Sequence, residues 1–389
     1  MEISLSVVQG FEIAIQEKVV GFASHVQIGT YARDINKEIR PLRQNDSTLR
    51  QIKALPNVAT VAPYVQYIAF CQSDYGMEGV TLKGVDSTYH WGFFRSSLQK
   101  GRLLDLSGDK EVLEILISKK QASLLNLSVG DRSKLIFING ERHRQRPVRV
   151  SGIYETGMEE FDVQVMLCDM RMLQRIWRWE PNEVSGLEVN LLNVERSYEW
   201  EFDKTWPFLH RIPIDPLYKA AEAINEVTPF DYAAEPVSML YPEIFDWLNL
   251  LHQNVTFILL LMVIVALINM SSVVLILIIE RTRTIGILKS MGMAAYRIQR
   301  MFVWKAFFLI AVGILLGNVL GIGLLASLSE WEWLKLDQQS YFVQKVPVAW
   351  VWGKFAMVNL GIIFTCTLFM FIPTVIIAKI SPLKAIRFE

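Results

Sequence analysis

Four carboxylates crowd one short stretch of this chain, Glu155-Thr-Gly-Met-Glu-Glu-Phe-Asp162. Acids this close could divide acid and base roles or hold a cation. Adjacent carboxylates on a loop are usually solvated, and that is the expectation here. The five histidines, His25, His90, His143, His210 and His252, lie far apart and show no ligand spacing. Each reads as a surface or packing residue. No G-x-x-x-x-G-K-[ST] run offers a phosphate cradle, and neither H-E-x-x-H nor G-x-S-x-G occurs. Cys71, Cys168 and Cys366 form no C-x-x-C pair, which argues against a zinc site and a disulfide framework. Cys71 and Cys168 read as two separate buried thiols. No catalytic residue, metal or cofactor is expected in this chain.

The stronger signal is basic. Glu280–Met301 carries Arg281, Arg283, Lys289, Arg297 and Arg300 against the single acid Glu280. Apolar runs flank it on both sides, and a basic loop between spanning helices belongs in the cytoplasm. The stretch also has helical periodicity, with Ile285, Leu288 and Gly292 on one face and Arg281 and Lys289 elsewhere. A short amphipathic helix at a membrane surface suits docking into a soluble partner.

The elements that hold this segment are apolar. Val255–Ile279, Ala306–Leu328 and Phe355–Ala378 contain no charged residue. A helix needs about 20 such residues to cross the hydrocarbon core. The loop 329–350 is not positive and carries Trp331, Trp333 and Trp350, aromatics suited to an interface. It is expected outside, and the tail 379–389 inside. Asn269, Ser271 and Ser272 interrupt the first of these runs, and intramembrane polar groups usually join helices. Gly313, Gly317 and Gly321 recur every four residues, a small-residue ridge for close helix approach. Phe11, Val255, Ile258 and Met262 are candidate lipid-facing positions. Zero formal net charge, 39 basic against 39 acidic residues, argues against a nucleic-acid partner.

From residue 21 to 250 the pattern mixes strands and helices. Val58–Phe70, Gly79–Val85, Val112–Ile117, Val163–Leu167 and Ser185–Leu191 read as strands; Ser118–Leu127, Met170–Trp177 and Ser197–Leu209 read as helices. Asn139-Gly140 between Leu135–Ile138 and Pro147–Ile153 predicts a type I′ hairpin. The basic residues Arg142–Arg149 are expected to be solvated there. Leu217–Gln253 is expected to be a mostly helical stalk, interrupted at Pro229, Pro236 and Pro242. This α+β region should lie outside the membrane, yet Met1–Ser24 is too charged to span and lacks a signal-peptide core. A further spanning helix is therefore expected upstream, with residues 1–20 as its outer end.

Together these features resemble the FtsX-like permease family of ABC transporters, and its lipoprotein-releasing branch most. Gly10-Phe11, Lys18, Gly21-Phe22 and His25-Val26 resemble the chain leaving that family's first span. Leu98–Arg102, Ile117-Ser118 and Val129-Gly130-Asp131 resemble the core of its outer domain. Gly152–Asp162 is similar to a loop of the lipoprotein-releasing branch. Asn269 matches a polar position of the second span, Glu280–Gly292 the coupling segment and Ser381–Arg387 the C-terminal signature. Thr284 stands where many relatives have an acid, and the hairpin 135–150 is short where some relatives carry a hook for a soluble carrier.

The resemblance implies a bundle of spanning helices, three present (254–279, 301–328, 351–378) and a fourth missing at the N-terminus, plus a large α+β extracytoplasmic domain. It implies a bacterial inner-membrane location and a separate ATPase, contacted through 280–300. Glu280, Arg283, Ile285, Gly286, Leu288, Lys289 and Gly292 would carry the coupling. A second permease subunit, identical or not, membrane lipids, a lipoprotein substrate and a periplasmic carrier complete the implied partners. Two other activities fit the same architecture: export of small hydrophobic molecules or peptides, and a non-transporting scaffold that controls a cell-wall hydrolase.

Overall fold

Runs rich in β-branched and aromatic residues make the longest strand of the chain, Val58–Gln72, and apolar runs without a polar face make its longest helices. The computed structural model describes residues 1–30, 41–139, 142–192, 199–202, 211–214 and 216–379. It divides into an α/β unit, Ile13–Phe245 with Leu336–Gln344, and a helical unit, Met1–Glu12, Asp246–Lys335 and Lys345–Glu389.

The described strands are β1 (Val26–Thr30), β2 (Leu42–Arg43), β3 (Val58–Gln72), β4 (Met77–Val85), β5 (Leu98–Gly101), β6 (Glu114–Ser118) and β7 (Arg132–Asn139). They continue with β8 (Arg142–Tyr154), β9 (Val165–Asp169), β10 (Glu183–Val184), β11 (Gly186–Leu191), β12 (Glu199–Phe202), β13 (Arg211–Ile214) and β14 (Tyr232–Pro236). Ten join one sheet in the order β14-β1-β11-β3-β4-β9-β6-β8-β5. β7 pairs with both β8 and the far end of β3. The pairings β3-β4-β9-β6-β8-β7-β3 thus form a closed circuit, which leaves those strands no open edge. Only β4–β9 and β6–β8 are parallel. Val65, Leu82, Ile115, Ile117, Leu135, Phe137, Val150 and Met166 fill the core.

Local signals place several elements closely. Ser118 caps the helix Lys119–Leu125 by accepting from Gln121 N at 3.0 Å, and Gln121 Oε1 accepts from Ser118 N at 3.0 Å. Asp169 caps Met170–Trp177 by accepting from Arg171 N at 2.9 Å. Cys71 and Cys168 are free, buried thiols, and burial pushes both above the ordinary thiol range.

Four expectations need correction. Glu199–Phe202 is a strand paired with Arg211–Ile214, not the start of a helix. Its sequence Glu-Trp-Glu-Phe alternates acid and aromatic, the period of a strand. Residues 203–209 of that expected helix, Gly140 and the tail signature 381–387 lie outside the described residues. The hairpin pairs Asn139 with Arg142, so Asn139 belongs to the strand β7 and not to the expected turn. Residues Val163 and Gln164 end a helix, Glu159–Gln164, and the following strand begins at Val165. The stalk is interrupted between Pro229 and Pro236 as expected, but the interruption is a strand, β14, that joins the sheet. Asn225 turns the chain back by donating to Ala234 O at 3.1 Å and accepting from Ala234 N at 2.7 Å.

Among the described residues three helices are long and apolar enough to cross a membrane: Pro242–Glu280, Ala295–Trp331 and Trp352–Val375. The first runs 39 residues without a break, ~58 Å at 1.5 Å per residue. The last is broken at Met370. Pro373 explains the break, because its ring meets the carbonyl of Phe369, four residues back. The N-terminal helix Glu2–Ala23 begins in the helical unit. Its Gly10 lies against the backbone of Pro347, where a Cβ would come within 2.1 Å of the carbonyl oxygen. Ala349 N donates to Ser6 O at 3.1 Å beside it.

Candidate functional site

The basic segment folds as its own helix, Thr282–Ser290, between two of the long helices. Thr282 Oγ1 donates to Ile278 O at 3.1 Å and to Ile279 O at 2.7 Å, satisfying the last carbonyls of the preceding helix. Ser290 Oγ donates to Ile287 O at 2.8 Å at the other end. Gly292 follows with φ +85° and open space around it, a backbone that only glycine adopts freely.

This helix has two apolar faces with different uses. Ile285 is buried with Val274, Ile278, Ile298 and Met370, and Leu288 packs on the same cluster. Gly286 is buried too. These three residues therefore hold the segment onto its own unit. The outward face is Ile287 and Met291, 45% and 77% exposed, with Glu280, Arg281 and Arg283 exposed and Lys289 half-exposed. Sequence reasoning chose Ile285 and Leu288 for the outward contact because it placed nothing behind the helix. Only the wheel position opposite them, Ile287 and Met291, remains available to another molecule.

The other candidates separate similarly. Asn269 faces outward, because Leu267, Met270 and Val274 take the inward positions of its helix. Among the described residues it joins no helices. Gly321 is buried beside Glu2, whereas Gly313 and Gly317 face open space. The ridge is used at one position of three. Ile258 and Met262 are exposed, and Val255 and Phe11 are half-buried.

The acidic loop is not simply solvated. Glu155 pairs with Lys119 at 3.0 Å and Glu159 with Lys120 at 2.9 Å. Asp162 is buried and accepts from Thr156 Oγ1 at 2.8 Å, Thr156 N at 3.2 Å and Gly157 N at 3.1 Å. It is a clamp that closes the loop. Lys18 Nζ donates to Thr156 O at 2.8 Å and Phe342 O at 2.7 Å, tying the N-terminal helix to the same loop. The described residues contain no group of three or more His, Cys, Asp or Glu side chains able to hold a metal ion.

Residues 256–382, which contain the Thr282–Ser290 helix and the long helices around it, match the family profile "FtsX-like permease C-terminal". The chain carries an FtsX-like permease domain. Along 99% of its length the chain is similar to curated relatives. It is 23% identical over 404 residues to the lipoprotein-releasing system transmembrane protein LolC of Neisseria meningitidis serogroup B, 90% of which is covered. It is 21% identical over 409 residues to the lipoprotein-releasing system transmembrane protein LolE of Haemophilus influenzae, again with 90% covered. Among solved structures, the periplasmic region of MacB from Actinobacillus actinomycetemcomitans aligns with a TM-score of 0.37 and 13% identity, over 59% of this chain and 97% of that one. The extracellular domain of the noncanonic ABC-type transporter YknZ from Gram-positive bacteria aligns at 0.34 and 18%, over 54% and 98%.

Two polar constructions in this chain carry little signal in the sequence. In the helical unit Glu2 is buried and accepts from Asn359 Nδ2 at 2.8 Å. Asn318, its amide oriented to satisfy both partners, donates to the same carboxylate at 2.8 Å. In the α/β unit Lys83 and Glu188 form a buried pair at 2.6 Å. Lys83 also donates to Phe22 O at 2.7 Å, and its ammonium lies 5.4 Å from the Phe22 ring centroid and 5.2 Å from that of Tyr89. For the second of these the sequence signal was an ionisable residue amid apolar neighbours in each of two strands, Leu82-Lys83-Gly84-Val85 and Leu187-Glu188-Val189.

Asp162 gives a pH signature. Burial pushes its carboxyl above the usual aspartate range, while hydrogen bonds from Thr156 and Gly157 pull it down. A raised folded-state pKa means that the folded state holds the proton more tightly. That stabilisation is complete below the unfolded value of about 3.9 and is lost as pH rises through the folded value. Asp162→Asn is expected to flatten this part of the stability curve. Urea midpoints taken across the acid range read it, and an unchanged slope contradicts the assignment.

Proposed function

We propose that this chain is the permease subunit of an ABC transporter that draws lipid-anchored proteins out of the bacterial inner membrane. A separate ATPase subunit drives it. The supporting observation is the helix Thr282–Ser290, fixed to its unit by Ile285 and Leu288 while Ile287 and Met291 stay exposed among arginines. An apolar strip in a basic rim is suited to a groove in a soluble partner. The full-length similarity to lipoprotein-releasing permeases supports the substrate class. The task itself needs an external energy source, since each CH₂ leaving the bilayer costs about 0.8 kcal/mol.

In this reading 280–300 and 379–389 face the cytoplasm, and the α/β unit and the loop 329–350 face the periplasm. A second permease subunit completes the transporter. Motion of the ATPase enters through Thr282–Ser290 and reaches the long helices through the Ile285–Leu288 packing. Purification of the complex from native membranes, followed by identification of the co-purifying proteins, tests the proposal. An ATP-binding cassette protein with a lipoprotein or its carrier is expected. An efflux adaptor or a cell-wall hydrolase in their place would sink it.

A further inference from the structure

We propose that a cavity within the α/β unit is a holding site for a single acyl chain. The inference rests on the lipoprotein reading above and names a place where the extracted lipid is shielded from water. The cavity has a volume of about 500 Å³. Val20, Ala62, Phe93, Leu191, Leu217 and Phe245 give it apolar walls. Gly21 belongs to the construction. A Cβ there would come within 2.4 Å of the Phe93 ring, so the glycine allows that ring to lie against the N-terminal helix as a wall.

Size and charge select the occupant. One turn of a helix, 5.4 Å of a cylinder 10–12 Å across, takes up roughly 500 Å³. The cavity therefore cannot admit a protein segment of useful length. At roughly 30 Å³ per methylene, about the share of one water in the liquid, the space suits a chain of about 16 carbons. The buried carboxylate in the wall, Glu188, is already neutralised by Lys83 at 2.6 Å. Glu188 is therefore not a free anion; of the other ionisable lining residues Glu17 and His90 are exposed and His25 is half-buried, and between them the apolar walls fit a neutral apolar chain. Ala59 and Leu192 line the cavity and are exposed, so they mark its mouth.

The test uses the full chain in its native complex. Cells are grown on a palmitate analogue bearing a photoreactive group and an alkyne tag, irradiated, and the permease adducts mapped by mass spectrometry. Adducts are expected on the peptides holding Tyr89–Phe93 and Leu217. Ala59→Trp fills the mouth from an exposed position and is expected to reduce those adducts by about tenfold or more, while Ala59→Ser leaves them unchanged. Adducts on the long apolar helices should persist in both variants and show that each is folded and labelled. Protein-sized adducts at the cavity support both the holding site and the lipoprotein reading. Lipid-sized adducts at the same residues support the holding site and count against that reading. Labelled long helices with unlabelled cavity peptides, or equal labelling in Ala59→Trp, would overturn the holding site alone.

Discussion

Lys83→Met is expected to destabilise the α/β unit by about 3–5 kcal/mol, the usual result of removing one partner from a buried ion pair. Both side chains are nearly inaccessible, 7% for Lys83 and 2% for Glu188. Without the ammonium, Glu188 keeps only a long contact from Gln27 Nε2 at 3.4 Å, and Phe22 O loses its donor. A loss of that size is a large part of the 5–15 kcal/mol typical of a domain. Lys83→Met combined with Glu188→Leu should recover most of the stability, because apolar replacement of both partners is often neutral or better. Urea unfolding followed by tryptophan fluorescence measures both. A single variant as stable as the wild type, or a double variant no better than the single, contradicts the role given to the pair.

The second large effect is expected at Ile287. Its side chain and that of Met291 are the exposed apolar groups of the Thr282–Ser290 segment and its cap. Burial of an isoleucine in a partner's groove contributes roughly 1.5–3 kcal/mol, and an aspartate there adds the cost of desolvating a charge. At 1.4 kcal/mol per factor of ten, Ile287→Asp should weaken the ATPase contact by about a hundredfold or more. Insertion and yield should be unchanged. Leu288→Asp should do the opposite. It places a charge against the cluster of Val274, Ile278, Ile285 and Ile298, so yield falls before partner affinity can be read. Pull-down of the ATPase with each variant separates the two faces. Full retention of the ATPase by Ile287→Asp would assign the contact elsewhere.

Apolar runs made the spanning helices legible, and runs rich in β-branched and aromatic residues the longest strand. The capping box at Ser118 and the helix at Met170–Trp177 were legible for the same local reason. What could not be read was which apolar face of a short helix meets its own chain. Ile285, Ile287, Leu288 and Met291 are equivalent in composition, and only the packing of Val274, Ile298 and Met370 behind two of them distinguishes the pair. The strand Glu199–Phe202 was misread because four residues carry too little period against a helical-looking surround. Asp162 was misread because its partners are the Thr156 hydroxyl and backbone N–H groups of its own loop, a pairing that no composition reveals. The Glu2–Asn318–Asn359 contact joins residues more than three hundred positions apart, and the Lys83–Glu188 pair depends on strand order.

The most direct measurement is release of a lipid-anchored protein from proteoliposomes that hold this chain with its co-purified permease partner and ATPase, with a soluble acceptor outside. Release that requires ATP, and that Ile287→Asp abolishes while the protein still inserts, is the predicted result. ATP turnover at the full rate with every lipoprotein left in the vesicles would contradict it.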